Sequence, residues 1–172
     1  MLRPASDVFE RWKYIPPNFS MRMSSLAAAL LRPQIALLQD RGMRWNRIYA
    51  DLARELVKAP GVSVPARDPR EDFVASSIQF TLDLKPEQIE RFLAECDLRG
   101  LYIKWFGLRQ PVVFTSNYEH WHYLPKQTGL PRSMDVLRQL LDLRTPLSLT
   151  PDDCVLIGKI ASAASAIASA AF

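Results

Sequence analysis

The chain has 172 residues and a net charge of +4 from 22 basic and 18 acidic side chains, with 48% hydrophobic and 23% charged residues. That balance excludes a disordered or fibrous chain, and at this length about 70% of the surface can be buried, enough for one domain without disulfide or metal staples. The six glycines, at 42, 61, 100, 107, 129 and 158, are never spaced as GxGxxG or GxxxxGK, so no dinucleotide fingerprint and no P-loop can be built.

The first twenty residues read as irregular, because Pro16-Pro17 forbids helix and Asn18 and Ser20 favour turns and caps. From Arg22 to Lys58 a long helix is predicted. Leu26, Leu30, Leu37, Arg41, Trp45, Ile48, Leu52 and Leu56 fall near one stripe at the 3.6 period. Pro33 should kink or break it near Leu31–Arg32, and Pro60 with Gly61 should end it. Val62-Ser63-Val64 reads as a short strand, and Ser76 to Asp83 alternates polar with apolar, which marks a half-buried strand. Pro86 opens a helix whose apolar face is Ile89, Phe92, Leu93 and Cys96, and Gly100 closes it. Leu101 to Phe106 is predicted as the third strand. Pro131 opens a further helix carrying Met134, Leu137, Leu140 and Leu141. Thr150-Pro151-Asp152-Asp153 starts the last one, with an N-cap, an N1 proline and two acids on the positive helix end.

The fold class that follows is α+β: a small, mostly antiparallel three-stranded sheet with helices on one face, preceded by a long kinked helix. Three strands are too few to cover that helix. Its second side is therefore expected to need a larger body or a partner.

Basic and acidic residues alternate, as across residues 67–72, and no four like charges run together. This predicts a mixed solvated surface and no nucleic-acid stripe. Cys96 and Cys154 fall in predicted helices and form no disulfide framework, which suits a cytoplasmic protein. The tail from Val155 to Phe172 is mostly Ala and Ser and contains Lys159, too weakly apolar for a membrane partner.

Chemistry-bearing groups are few. His120-Trp121-His122 would offer two ligands to a metal if it were a strand, but no third ligand lies nearby in sequence, so a structural or surface role is the simpler reading and no metal is expected. Cys96 lies on an apolar helix face and reads as an inert small hydrophobe. Lys104 is the one lysine placed mid-strand beside aromatics. Residues 17–24 set an amide, a hydroxyl and a guanidinium ahead of a long helix, a combination suited to an anion as well as to an ordinary cap.

Asn18-Phe19-Ser20-Met21-Arg22-Met23-Ser24-Ser25-Leu26-Ala27-Ala28-Ala29-Leu30 resembles the N-Y-R-M-S-x-L-x-A-A signature of the DegT/DnrJ/StrS family, fold-type-I aminotransferases that use pyridoxal phosphate, mostly on nucleotide-linked keto-sugars. The likeness continues in order through Trp45, Arg47 and Tyr49, then Val62 to Pro65, Ser76 to Leu82, Pro86 to Gly100, and Leu147 to Ile160. It covers the small C-terminal part of the family's fold. The large domain, with the Schiff-base lysine and the aspartate that pairs with the pyridine nitrogen, has no counterpart. The resemblance thus implies a linker over residues 1–20 and the C-terminal small domain over 21–172, with no catalytic residue of its own. Asn18 and Arg22 would stand near the cofactor phosphate. Lys104 and Trp105, where the family commonly has H-Y-P, would face substrate. Pyridoxal phosphate would be held only in a complete enzyme, and the partner would be a second copy (a homodimer) or a separate large-domain chain. Two rivals are a non-catalytic protein-interaction module derived from that domain and a small metal-binding domain using His120 and His122.

Overall fold

The computed structural model describes residues 6–12, 23–68, 70–71, 73–112, 118–122, 124–125 and 129–170. In chain order the elements are α1 (Ser6–Trp12), α2 (Ser25–Ile35), α3 (Leu38–Leu56), β1 (Val62–Ser63), β2 (Ser77–Leu82), α4 (Pro86–Asp97), β3 (Lys104–Trp105), a 3-10 turn (Tyr118–His120), α5 (Pro131–Gln139), β4 (Leu140–Arg144) and α6 (Pro151–Ser169). The class is α+β, with an antiparallel sheet in the order β1-β2-β4-β3.

The sheet has four strands where three were expected. Leu140 and Leu141 do not extend the helix opened by Pro131. They begin β4, which pairs with β2 on one side and β3 on the other. The reason is tertiary: Leu141, Asp142 and Leu143 are all buried, as in a central strand, so no polar alternation advertises the element. The third strand shrinks to Lys104–Trp105, because β3 meets β4 only opposite Asp142 and Leu141. A helix, α1, also occupies part of the stretch expected to be irregular.

Local signals account for most other boundaries. Ser24 caps α2 by accepting from the Ala27 N–H at 3.1 Å. At α6, Thr150 Oγ1 accepts from the Asp153 N–H at 3.2 Å, and the Asp153 carboxylate accepts from the Thr150 N–H at 2.8 Å. The Thr150 hydroxyl, which donates to the same carboxylate at 2.7 Å, and then the Thr150 N–H hold the Asp153 carboxyl below its ordinary range. Gly100, at φ +77°, closes α4 as the Leu101 N–H donates to the Cys96 carbonyl at 2.9 Å.

One apolar layer joins sheet and helices. Ile78, Phe80 and Leu82 of β2 are fully buried, the first two opposite Leu143 and Leu141 and the third opposite Val62, and they share the core with Leu52 and Leu56 of α3 and Phe92 of α4. Helix α6 packs against both α3 and α4. It presents Ala161, Ala164 and Ala168, small residues that let helix backbones come close. Both thiols lie in this core. Burial pushes Cys96 up to about 12 and raises Cys154, so neither is a ready nucleophile.

The long helical segment divides differently from expectation. Helix α2 runs through Pro33 to Ile35, and the ladder breaks at Ala36–Leu37 rather than near Leu31–Arg32. Pro33 deprives the Ala29 carbonyl of its helical donor, but Ala29 is exposed, so water can satisfy that oxygen and the helix survives one more turn. Helix α2 has no buried residue, and Leu26 and Ile35 are 71% and 69% exposed. Leu30, Leu31, Leu37 and Leu38 are bare as well.

Candidate functional site

Of the four residues singled out for binding, Asn18 and Arg22 lie outside the described residues. Lys104 and Trp105 stand together on β3. They point to opposite sides, as neighbours on a strand must.

Trp105 is 3% exposed, and its indole N–H donates to the Arg138 carbonyl at 2.8 Å. Its one polar group is therefore spent on fixing α5, and only the ring body is left to face a ligand. Trp105 lines two recesses. One, of about 310 Å³, is walled by Leu93, Ala94, Tyr102, Lys104 and Leu108. The other, of about 610 Å³, opens between α4 and α5 beside Glu90, Arg109 and Met134. Gly107 makes this arrangement possible. A Cβ there would lie 2.6 Å from Trp105 Nε1 and 2.9 Å from Arg138 Cα. Gly107→Ala is expected to push the indole off Arg138 and cost about 1–3 kcal/mol, read as a lower urea midpoint; an unchanged midpoint would show that the ring has slack.

Lys104 is half-buried and sits opposite Asp142 in register, yet it makes no ion pair among the described residues. Asp142 is 7% exposed and instead accepts from Gln79 Nε2 at 2.7 Å, while the same amide reaches Ser77 Oγ at 2.9 Å. Gln79, Asp142 and Lys104 thus form one row across three strands on the sheet face away from the core. Sequence reading missed this row. Its only signal was an aspartate inside Leu140-Leu141-Asp142-Leu143, which becomes informative once that run is known to be a strand.

His120 falls in the 3-10 turn rather than in a strand, with its Nε2 3.2 Å from the Arg109 carbonyl. No three His, Cys, Asp or Glu side chains converge on a metal site among the described residues. None of the described helices is long and apolar enough to cross a membrane.

With this geometry in hand, the family model for DegT/DnrJ/EryC1/StrS aminotransferases matches residues 4–160. The chain belongs to that family. Solved structures agree in fold. DesV of S. venezuelae, solved with a ketimine intermediate, superposes with a TM-score of 0.64 at 22% identity, over 84% of this chain and 37% of that one. The aminotransferase TlmJ of Streptoalloteichus hindustanus gives 0.67 at 16%, over 83% and 36%. 3-Amino-5-hydroxybenzoic acid synthase gives 0.66 at 16%, over 94% and 46%. None of the curated proteins compared with the chain matches it. The chain therefore spans 36–46% of the length of these neighbours.

The family is generally dependent on pyridoxal phosphate. The described residues of this chain do not fit that group. Lys58 is paired with Glu55 at 2.7 Å, Lys85 and Lys159 are exposed, and Lys104 stands opposite the Asp142 carboxylate on the sheet face away from the core. A phosphate dianion needs several converging N–H or hydroxyl donors, and a carboxylate beside it opposes binding. Lys13 and Lys126 lie outside the described residues.

Proposed function

We propose that this chain is the C-terminal part of a pyridoxal-phosphate-dependent, sugar-type aminotransferase. It supplies dimer contacts and part of the cofactor and substrate pocket, and it is not catalytic alone. The observation that carries the reading is the family match over residues 4–160 in a chain that spans only 36–46% of its neighbours' lengths. The bare apolar surface of α2 supports it, since a helix apolar nearly all round is built to be covered. In this reading Asn18 and Arg22 approach the cofactor phosphate contributed by the rest of the enzyme. Lys104 and the face of Trp105 border the substrate. One neighbour, DesI, was solved with its TDP-sugar product, which supports the sugar class.

The test is to purify the chain alone, and again together with the polypeptide encoded directly upstream. Alone, it should take up no visible absorbance from pyridoxal phosphate, and borohydride should fix no label on any lysine. Together, the two should copurify, gain that absorbance and transfer an amino group to a keto-sugar. A borohydride-fixed label on Lys104 or another lysine of the isolated chain would overturn the proposal. Copurification with a polypeptide that has no cofactor site would instead favour the interaction module.

A further inference from the structure

The side chain of Gln34 lies at the α2–α3 break and bonds on both sides of it. Its Nε2 donates to the Leu30 carbonyl at 2.9 Å, inside α2, and its Oε1 accepts from Arg41 Nη1 at 2.8 Å, inside α3. Its own carbonyl also accepts from the Leu37 N–H at 3.1 Å, and the Leu37 carbonyl then accepts from the Arg41 N–H at 3.0 Å. Three of these four bonds cross or flank the two residues, Ala36 and Leu37, at which the helical assignment stops.

Little else among the described residues holds α2. It has no buried side chain, and Ala27 and Gln34 are the only residues in it that are even half-buried. Pro33 has removed one rung of the ladder just before the break. A helix attached through an interrupted ladder, without tertiary packing, would swing about the interruption. Its direction must then be set by bonds that span the gap. Gln34 and Arg41 are both half-buried, which shields their bond from competition by water.

We propose that Gln34 is a splint. By bonding Leu30 on one side and Arg41 on the other, it fixes the angle at which α2 leaves the folded body, and so the direction in which Leu26, Leu30 and Ile35 are presented. Gln34 is a positioning residue and is not itself a member of the buried core. The use of that direction for docking rests on the partner reading above, whereas the splint is a property of this chain alone.

The experiment measures the angle directly, without a partner or cofactor. Spin labels at Ala28→Cys on α2 and Arg47→Cys on α3 would stand about 28 Å apart along a straight helix at 1.5 Å per residue, within range of dipolar electron resonance. Both positions are exposed, while the native thiols are buried and react slowly. Labelled chain is diluted into unlabelled chain so that only distances within one molecule are read. The parent should give one narrow distance. Gln34→Ala and Arg41→Ala, which remove the same bond from opposite ends, should each lose the narrow component, with the thermal midpoint of the body unchanged. Gln34→Glu keeps the acceptor for Arg41 and should retain most of it. An unchanged narrow distance in either alanine variant overturns the splint. So does a broad distance in the parent. Failure of the chain to bind an upstream polypeptide would count against the proposed function and leave these distances unaffected.

Discussion

At high micromolar concentration the isolated chain is expected to scatter light as a dimer or larger species, not as a 19.6 kDa monomer. Met23, Leu26, Leu30, Leu31, Ile35 and Leu38 are each between 45% and 71% exposed on one short stretch. Soluble monomers rarely leave more than a few hundred Å² of contiguous apolar surface bare. Covering about 800 Å² at ~25 cal/mol per Å² gives roughly 20 kcal/mol. Association itself costs on the order of 4–15 kcal/mol, so the balance favours burial. The triple variant Leu26→Ser, Leu30→Ser and Ile35→Ser should restore a monomer, because the surface is removed. Its thermal midpoint should match that of the parent diluted to its monomer, because none of the three lies in the core. A well-behaved parent monomer that binds no hydrophobic dye would refute this expectation and favour a self-contained module.

Gly158→Val should be the most damaging single substitution at the helix packing. Gly158 faces α3 so closely that a Cβ would lie 2.8 Å from Glu55 Cβ and 3.0 Å from the Glu55 carbonyl oxygen. Backbone cannot turn aside as a flexible side chain can, so α6 and α3 must separate. That separation would loosen Leu52 and Leu56 as well, both fully buried. The expected loss is on the order of 3 kcal/mol, the upper end for overpacking. For a domain of this size that corresponds to a fall of roughly 6–12 °C in melting temperature. Gly158→Ala should lose less, since alanine recovers about 1 kcal/mol of helix propensity. A midpoint for Gly158→Val within a degree of the parent would show that the two helices are not in close contact.

Much of the fold was written locally. Thr150 and Asp153 cap α6 three residues apart, Pro86 opens α4 and Gly100 closes it, and the alternation from Ser77 to Leu82 marks one half-buried strand. Each of these signals is complete within a few residues, so the sequence alone is enough to read it. The family resemblance was legible for a related reason, because its motifs are short runs in a fixed order.

What only the tertiary structure decided depends on partners far along the chain. Leu140–Arg144 is a strand because Ile78 and Phe80, more than sixty residues earlier, lie opposite Leu143 and Leu141; read alone, Leu-Leu-Asp-Leu continues a helix equally well. Asp142 gains its meaning from Gln79 and Lys104 on the two flanking strands. Trp105 is held in place because the Arg138 carbonyl takes its N–H, a pairing across thirty-three positions. The break after α2 lies beyond Pro33 because proline removes one bond but does not choose where the chain turns. The bonds of the Gln34 amide to both helices could not be read from the sequence, because they form only once α2 and α3 are placed.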